Sequence, residues 1–259
     1  MSYTIDDLRN IMVRLRGEDG CPWDRVQTHE SLKRNMIEEC YEAIEALDKH
    51  DDKMFANELG DCLLQIVFHA RIAEERGAFS FDDVVNEICT KLITRHTHVF
   101  GDAEAKDAES ALGEWEKQKK AEKGLKSFSD ALKDVPNNFP ALIRAEKVQK
   151  KAKNAGFDWD GIEGAENKLT EELAELNEAL STGNQNKIDE EYGDLLFAAV
   201  NVGRFAKSDP ELSLTNATNK FIRRFEKMEQ LAEKRGKKLD TLSLEEMDML
   251  WKEIKTADK

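Results

Sequence analysis

Glu38-Glu39-Cys40-Tyr41-Glu42-Ala43-Ile44-Glu45-Ala46-Leu47 lies over Glu171-Glu172-Leu173-Ala174-Glu175-Leu176-Asn177-Glu178-Ala179-Leu180, with six of the ten positions identical and four of those Glu. A second acidic pair follows at the same interval in each case. From Glu42 to Glu58 and from Glu175 to Glu191 is 16 residues, and Glu58-Leu59-Gly60-Asp61 then lies over Glu191-Tyr192-Gly193-Asp194. Leu63, Val67 and Arg71 stay in step with Leu196, Val200 and Arg204. Trp23-Asp24 precedes one copy and Trp159-Asp160 the other; Lys91 and Arg95 follow the first, Lys220 and Arg224 the second. The chain is therefore a tandem duplication of a unit of roughly 120 residues, and two copies are too few for a solenoid. The expected organisation is a first domain over 1–120, a linker over 121–138 and a second, main catalytic domain over 139–259. The segment from Lys117 carries Lys119, Lys120 and Lys123, then Gly124, Pro136, Asn137 and Asn138, which marks the boundary.

The unit is helical. Ile5, Leu8, Ile11, Met12 and Leu15 form one apolar stripe, and helical periodicity continues over 32–47, 54–76 and 81–97. It returns over 141–155, 168–180, 187–206, 215–235 and 244–255. Gly17 to Trp23 reads as a loop, with Gly20 and Pro22 as breakers. Only 4 prolines occur among 259 residues, and 36% of the chain is charged against roughly 25% in an average domain. The fold class expected is all-α, two tandem helical-bundle units.

Composition excludes several functions. The net charge of −14 would be repelled by a phosphate backbone, so no stable nucleic-acid partner is expected. No apolar run approaches the ~18 residues that span a membrane, and the acidic start of the chain does not resemble a signal peptide. Cys21, Cys40, Cys62 and Cys89 have no CxxC spacing, which fits buried reduced thiols and a cytoplasmic location.

Glu172 and Glu175, and Glu191 and Asp194, are spaced i, i+3, so each pair shares one helix face. If the polar stretch 181–186 lets the second helix fold back on the first, four carboxylates converge. Oxygen-only ligands suit a hard cation, Mg²⁺ first and Mn²⁺ next. A di-iron bundle would need Glu-x-x-His pairs, and none occurs here. No P-loop is present. Gly193, like Gly60, leaves room where a helix or a substrate comes close. The first copy keeps the matching acids Glu39, Glu42, Glu58 and Asp61.

The doubled EExxE…ExxD pattern, the Cys21-Pro22-Trp23-Asp24 segment and Lys91-Leu92-Ile93-Thr94-Arg95-His96-Thr97-His98-Val99-Phe100 resemble the MazG family of nucleoside triphosphate pyrophosphohydrolases. The resemblance spans nearly the whole chain. It implies an all-α, usually homodimeric protein with sites built by four-helix bundles. It also implies Mg²⁺-dependent hydrolysis of nucleoside triphosphates to monophosphate and pyrophosphate, in nucleotide-pool housekeeping with broad base tolerance. Glu172, Glu175, Glu191 and Asp194 are then the expected metal ligands and Glu171 the base that orients water. Lys168, Glu171, Lys187, Glu190, Lys220, Arg223 and Arg224 are expected on the substrate, with Trp251 stacking on the base. Lys168 and Lys187 each lie four residues before a ligand, where the first copy has Asn35 and Met54; this favours the second copy for turnover, although Lys33, Arg34 and Arg95 offer the first some cations. Other readings are a narrower all-α phosphohydrolase acting on dUTP or a phosphoribosyl nucleotide, a divalent-ion buffer, and a non-enzymatic helical regulator.

Overall fold

A computed structural model describes residues 2–122 and 127–258; Lys123 and Gly124, two of the boundary markers, lie outside them. The described residues form helices and no strand. The chain divides into two compact units, Met1–Lys123 and Gly124–Lys259.

In the first unit, α1 (Ile5–Arg16) starts on a capping box between Thr4 and Asp7. Pro22 does not break the chain. It occupies the first turn of a short α2 (Pro22–Val26), where its missing N–H costs nothing. The acidic pairs ride on α3 (Lys33–Asp48) and α4 (Asp52–Glu75). Asp51 caps α4 by accepting from the Lys53 and Met54 N–H groups, so α4 starts two residues earlier than its apolar pattern suggests. Met12, Leu32, Val67, Phe68 and Ile72 form the core of this unit. Arg16, almost wholly buried, pins α1 to α4 through Glu75 at 2.7 Å and lies over the Phe68 ring. The helix expected over 81–97 ends sooner: α5 covers Phe81–Arg95, and α6 covers Thr97–Phe100 after a break at His96. The unanticipated α7 (Ala108–Glu122) is fastened to α5 by Arg95, which lies over Trp115 and binds Glu122 at 2.8 Å.

The second unit contains α8 (Phe128–Lys133), α9 (Ala141–Lys153), α10 (Ile162–Thr182), α11 (Gln185–Phe205), α12 (Pro210–Lys234) and α13 (Leu244–Ala257), with a 3₁₀ turn at Leu239–Thr241. The stretch read as a linker thus holds a capped helix, α8, whose Ser127 and Asp130 form a capping box. Helix α10 begins six residues before Lys168. Gly164 sits in its first turn because a Cβ there would meet Trp159 Cδ1 at 2.3 Å. Helices α10 and α11 form a hairpin. Gly183 closes α10 in the left-handed region (φ +67°) and Asn184 caps α11 through the Lys187 N–H. Gln149 of α9 is buried and donates to the Phe197 carbonyl of α11 at 2.8 Å. Asp209 and Pro210 start α12 five residues before its expected beginning. Met228, Ala232, Leu250 and Ile254 join α12 to α13.

Candidate metal centre and active site

Each helical hairpin brings its acids together. In the second unit, carboxylate oxygens of Glu172, Glu175 and Glu191 all lie within 4.8 Å of one another; in the first, those of Glu39, Glu58 and Asp61 do. Asp194 and Glu42, the fourth acids of the motif, fall outside these triads. Carboxylates this close repel unless a cation lies among them. The repulsion is visible at Glu175, whose carboxyl is pushed above the usual range by loss of water, by its hydrogen bond with Glu172 and by the charges of Glu172 and Glu191. Glu39 is pushed the same way by burial and by Asp61, Glu42 and Glu58. An all-oxygen donor set held in this condition fits a hard divalent ion.

Lys168 is inside the second cluster. Its ammonium donates to Glu171 Oε1 and Glu172 Oε1, both at 2.7 Å. Those two bonds hold its pKa well above the usual lysine range. Glu172 is buried, whereas Glu171 and Glu190 are exposed. Lys187 is half-buried, and Lys220 and Arg223 are exposed; none of the three forms an ion pair among the described residues.

Two expected substrate contacts are engaged elsewhere in the unit. Arg224 donates from Nε to Asp258 Oδ2 at 3.1 Å, sharing that carboxylate with Lys227. Trp251 packs on the α12–α13 core, with its ring 5.1 Å from that of Phe221. Among the described residues nothing lies within 4 Å of a Cβ built on Gly193 or Gly60, so neither glycine serves close packing against a described helix.

Asn57 was not anticipated from the sequence. Its amide donates to Glu58 at 3.4 Å and to Asp61 at 3.3 Å, and so holds both acids of the first α4 pair. Its i, i+4 spacing to Asp61 was the available signal. Near the far end of α11, Arg204 forms a bidentate pair with Asp158 and donates to Asn201 at 2.8 Å, all three nearly or fully buried. This fixes the Trp159 segment against the helix that carries Glu191.

The MazG nucleotide pyrophosphohydrolase domain model matches residues 27–100 and 162–233, the two hairpins with their flanking helices. The "Nucleoside triphosphate pyrophosphohydrolase/pyrophosphatase MazG" of Thermotoga maritima is 48% identical over 98% of this chain and 96% of its own length. The "Nucleoside triphosphate pyrophosphohydrolase" of Escherichia coli is 41% identical over 98% of both chains. A Bacillus subtilis protein, YabN, is 46% identical over 99% of this chain, which covers 53% of that longer protein. With both domain matches falling on the acidic hairpins and full-length similarity around them, the chain belongs to the MazG nucleotide pyrophosphohydrolase family.

Proposed function

We propose that the chain hydrolyses nucleoside triphosphates, ribo- and deoxyribo- alike, to the monophosphate and pyrophosphate, chiefly at the Glu172–Glu175–Glu191 cluster. The observation that supports this most is the cluster itself: three converging carboxylates with a lysine ammonium among them. Glu172, Glu175 and Glu191, with Asp194 one turn along α11, are the ligands for Mg²⁺, or for Mn²⁺ in its place. Bound there, the metal would supply charge neutralisation on the polyphosphate and acidify water. The residues of the chain do the rest. Glu171, exposed beside the buried Glu172, accepts the proton of the attacking water. Lys168 and Lys187 offset charge on the phosphates, and the free faces of Lys220 and Arg223 extend that cationic surface. The bond broken is the α–β phosphoanhydride; water supplies oxygen to one product, and pyrophosphate leaves. Arg224 and Trp251 contribute by holding α12 and α13 in place.

The working form is a homodimer. Leu173, Tyr192, Leu196 and Phe197 on α10 and α11, and Phe221 and Ile222 on α12, are each between 42% and 55% exposed, and a second copy packed on them would take these large apolar side chains out of water. All four cysteines are free thiols, although none is buried as expected: Cys40 and Cys89 are exposed and Cys21 and Cys62 half-buried. No described helix is long and apolar enough to cross a membrane, and the role we infer is cytoplasmic nucleotide-pool housekeeping.

The test is steady-state hydrolysis of the eight common NTPs and dNTPs with Mg²⁺, products separated by chromatography. Monophosphate and pyrophosphate from several bases are expected. Turnover of dUTP alone would narrow the enzyme to one substrate, orthophosphate release would contradict the reaction, and no turnover of any would leave a helical regulator.

A further inference from the structure

We propose that Lys168 is a resident counter-cation that couples metal to nucleotide: it holds Glu172 while the second cluster is free of metal, and metal binding displaces it toward the triphosphate. This rests on the metal reading above and assigns an additional role to a lysine in that site.

Glu172 is the buried member of its triad, its side chain 7% exposed, and a buried carboxylate without a partner is costly. Lys168 supplies that partner at 2.7 Å. A divalent ion drawn to Glu172, Glu175 and Glu191 meets a fixed positive charge already bonded to one of its ligands, and the two cations repel. Proton loss does not relieve this, because a lysine side chain keeps its charge at neutral pH. The lysine must therefore move. It can: its side chain is 37% exposed, and its second partner, Glu171, is exposed on the same face. Once off Glu172, the ammonium is a mobile point charge one turn from the metal, where the phosphates of a bound nucleotide would lie. Metal then favours nucleotide and nucleotide favours metal, through one side chain, and the coupling is reciprocal.

The first unit lacks the device. Asn35 stands where Lys168 does, and the nearby cation, Arg34, pairs at 2.7 Å with Glu38, the counterpart of Glu171. Among the described residues, no cation is bonded to Glu39.

The coupling predicts effects of opposite sign from one substitution. The measurement uses the full chain carrying Glu39→Gln and Glu58→Gln, so that the second cluster alone titrates. Mn²⁺ binding is followed by electron paramagnetic resonance without nucleotide, and binding of an α,β-methylene nucleoside triphosphate is followed by calorimetry with Mn²⁺ present. Lys168→Met should tighten Mn²⁺ binding by about tenfold, because the competing charge is gone. It should weaken nucleotide binding by about tenfold, because a phosphate contact is gone. Lys168→Gln, which preserves an uncharged donor on a side chain one atom shorter, should shift both in the same directions by less. Lys187→Met, with no bond to a ligand, should weaken nucleotide binding while leaving Mn²⁺ affinity within about twofold. Mn²⁺ binding that is unchanged or weaker in Lys168→Met and Lys168→Gln would overturn the inference alone. Equal tightening in Lys187→Met would do the same, by reducing the effect to net charge. Absence of Mn²⁺ binding in the parent would overturn the metal reading and this inference with it.

Discussion

The two carboxylate clusters arise from one motif but bury different members and neutralise them differently. In the first unit the buried acid is Glu58 on α4, and an uncharged amide, Asn57, holds it together with Asp61. In the second the buried acid is Glu172 on α10, and a lysine holds it. The position of Asn57 is taken by Glu190, which has no donor to offer Asp194, and the position of Lys168 is taken in the first unit by Asn35. Asp61 thus has a donor that holds it beside Glu58, and Asp194 has no such donor at the matching position. The two exchanges of residue also leave the clusters with different charge. The first has three acids and no bonded cation; the second has three acids and an ammonium. Free of metal, the first cluster therefore carries the larger uncompensated negative charge, which is the physical ground for proposing that turnover belongs to the second unit.

The same pairing of positions gives a structural contrast that can be broken by substitution. Arg204 and Arg71 occupy matching places. Arg204 is 7% exposed and bonded to Asp158 and Asn201, whereas Arg71 is 28% exposed and reaches Glu74 and Glu75 at 3.1–3.4 Å. Removing one partner of a buried pair leaves the other charge stranded, so Arg204→Met should cost about 3 kcal/mol of unfolding free energy. Arg71→Met should cost about 1 kcal/mol or less, since Glu75 keeps Arg16. Urea unfolding followed by tryptophan fluorescence distinguishes the two, and equal losses would mean that the burial difference carries no energetic weight.

A smaller effect sharpens the comparison of the clusters themselves. Glu39 and Glu175 both have folded pKa values raised above the ordinary 4.5. A carboxyl whose folded pKa is raised binds its proton more tightly when folded. Its charged form therefore lowers stability above the folded pKa, and that cost disappears as the pH falls below 4.5. In metal-free protein at pH 7, Glu39→Gln and Glu175→Gln should each raise Tm slightly, with no gain at pH 4. The rise should be larger for Glu39→Gln, because Lys168 already offsets part of the repulsion at Glu175. A melting series across pH checks this; a gain that persists at pH 4 would show that it does not come from charge.

Much of this architecture was legible in the sequence because the acids sit in apolar helices at a fixed interval, and side-chain periodicity reports both facts. The ends of the helices were less so. The first turn of α12 contains Pro210, which reads as a breaker unless Asp209 is recognised as its cap. Helix α7 carries only Leu112 and Trp115 as large apolar residues among Lys and Glu, so no apolar stripe announces it. Within the site, the spacing of Lys168 placed a cation beside the ligands but could not show that it bonds Glu172 itself. The pairing of Arg224 with Asp258 spans 34 residues and depends on how α13 returns along α12, which no local pattern encodes. Asn57 is not marked by the repeat, because the matching residue in the second copy is Glu190.

The two clusters are unequal, and the proposed function assigns the chemistry to the second. Initial rates of pyrophosphate formation by the full chain with saturating Mg²⁺ and nucleotide test it directly, in the wild type, Glu39→Gln and Glu172→Gln. Each substitution removes one carboxylate charge while keeping the shape of the side chain, at matching positions of the two copies. Glu172→Gln should lose on the order of a hundredfold or more, and Glu39→Gln should stay within about threefold of wild type. A near-normal rate in Glu172→Gln, or a greater loss in Glu39→Gln, would contradict the account.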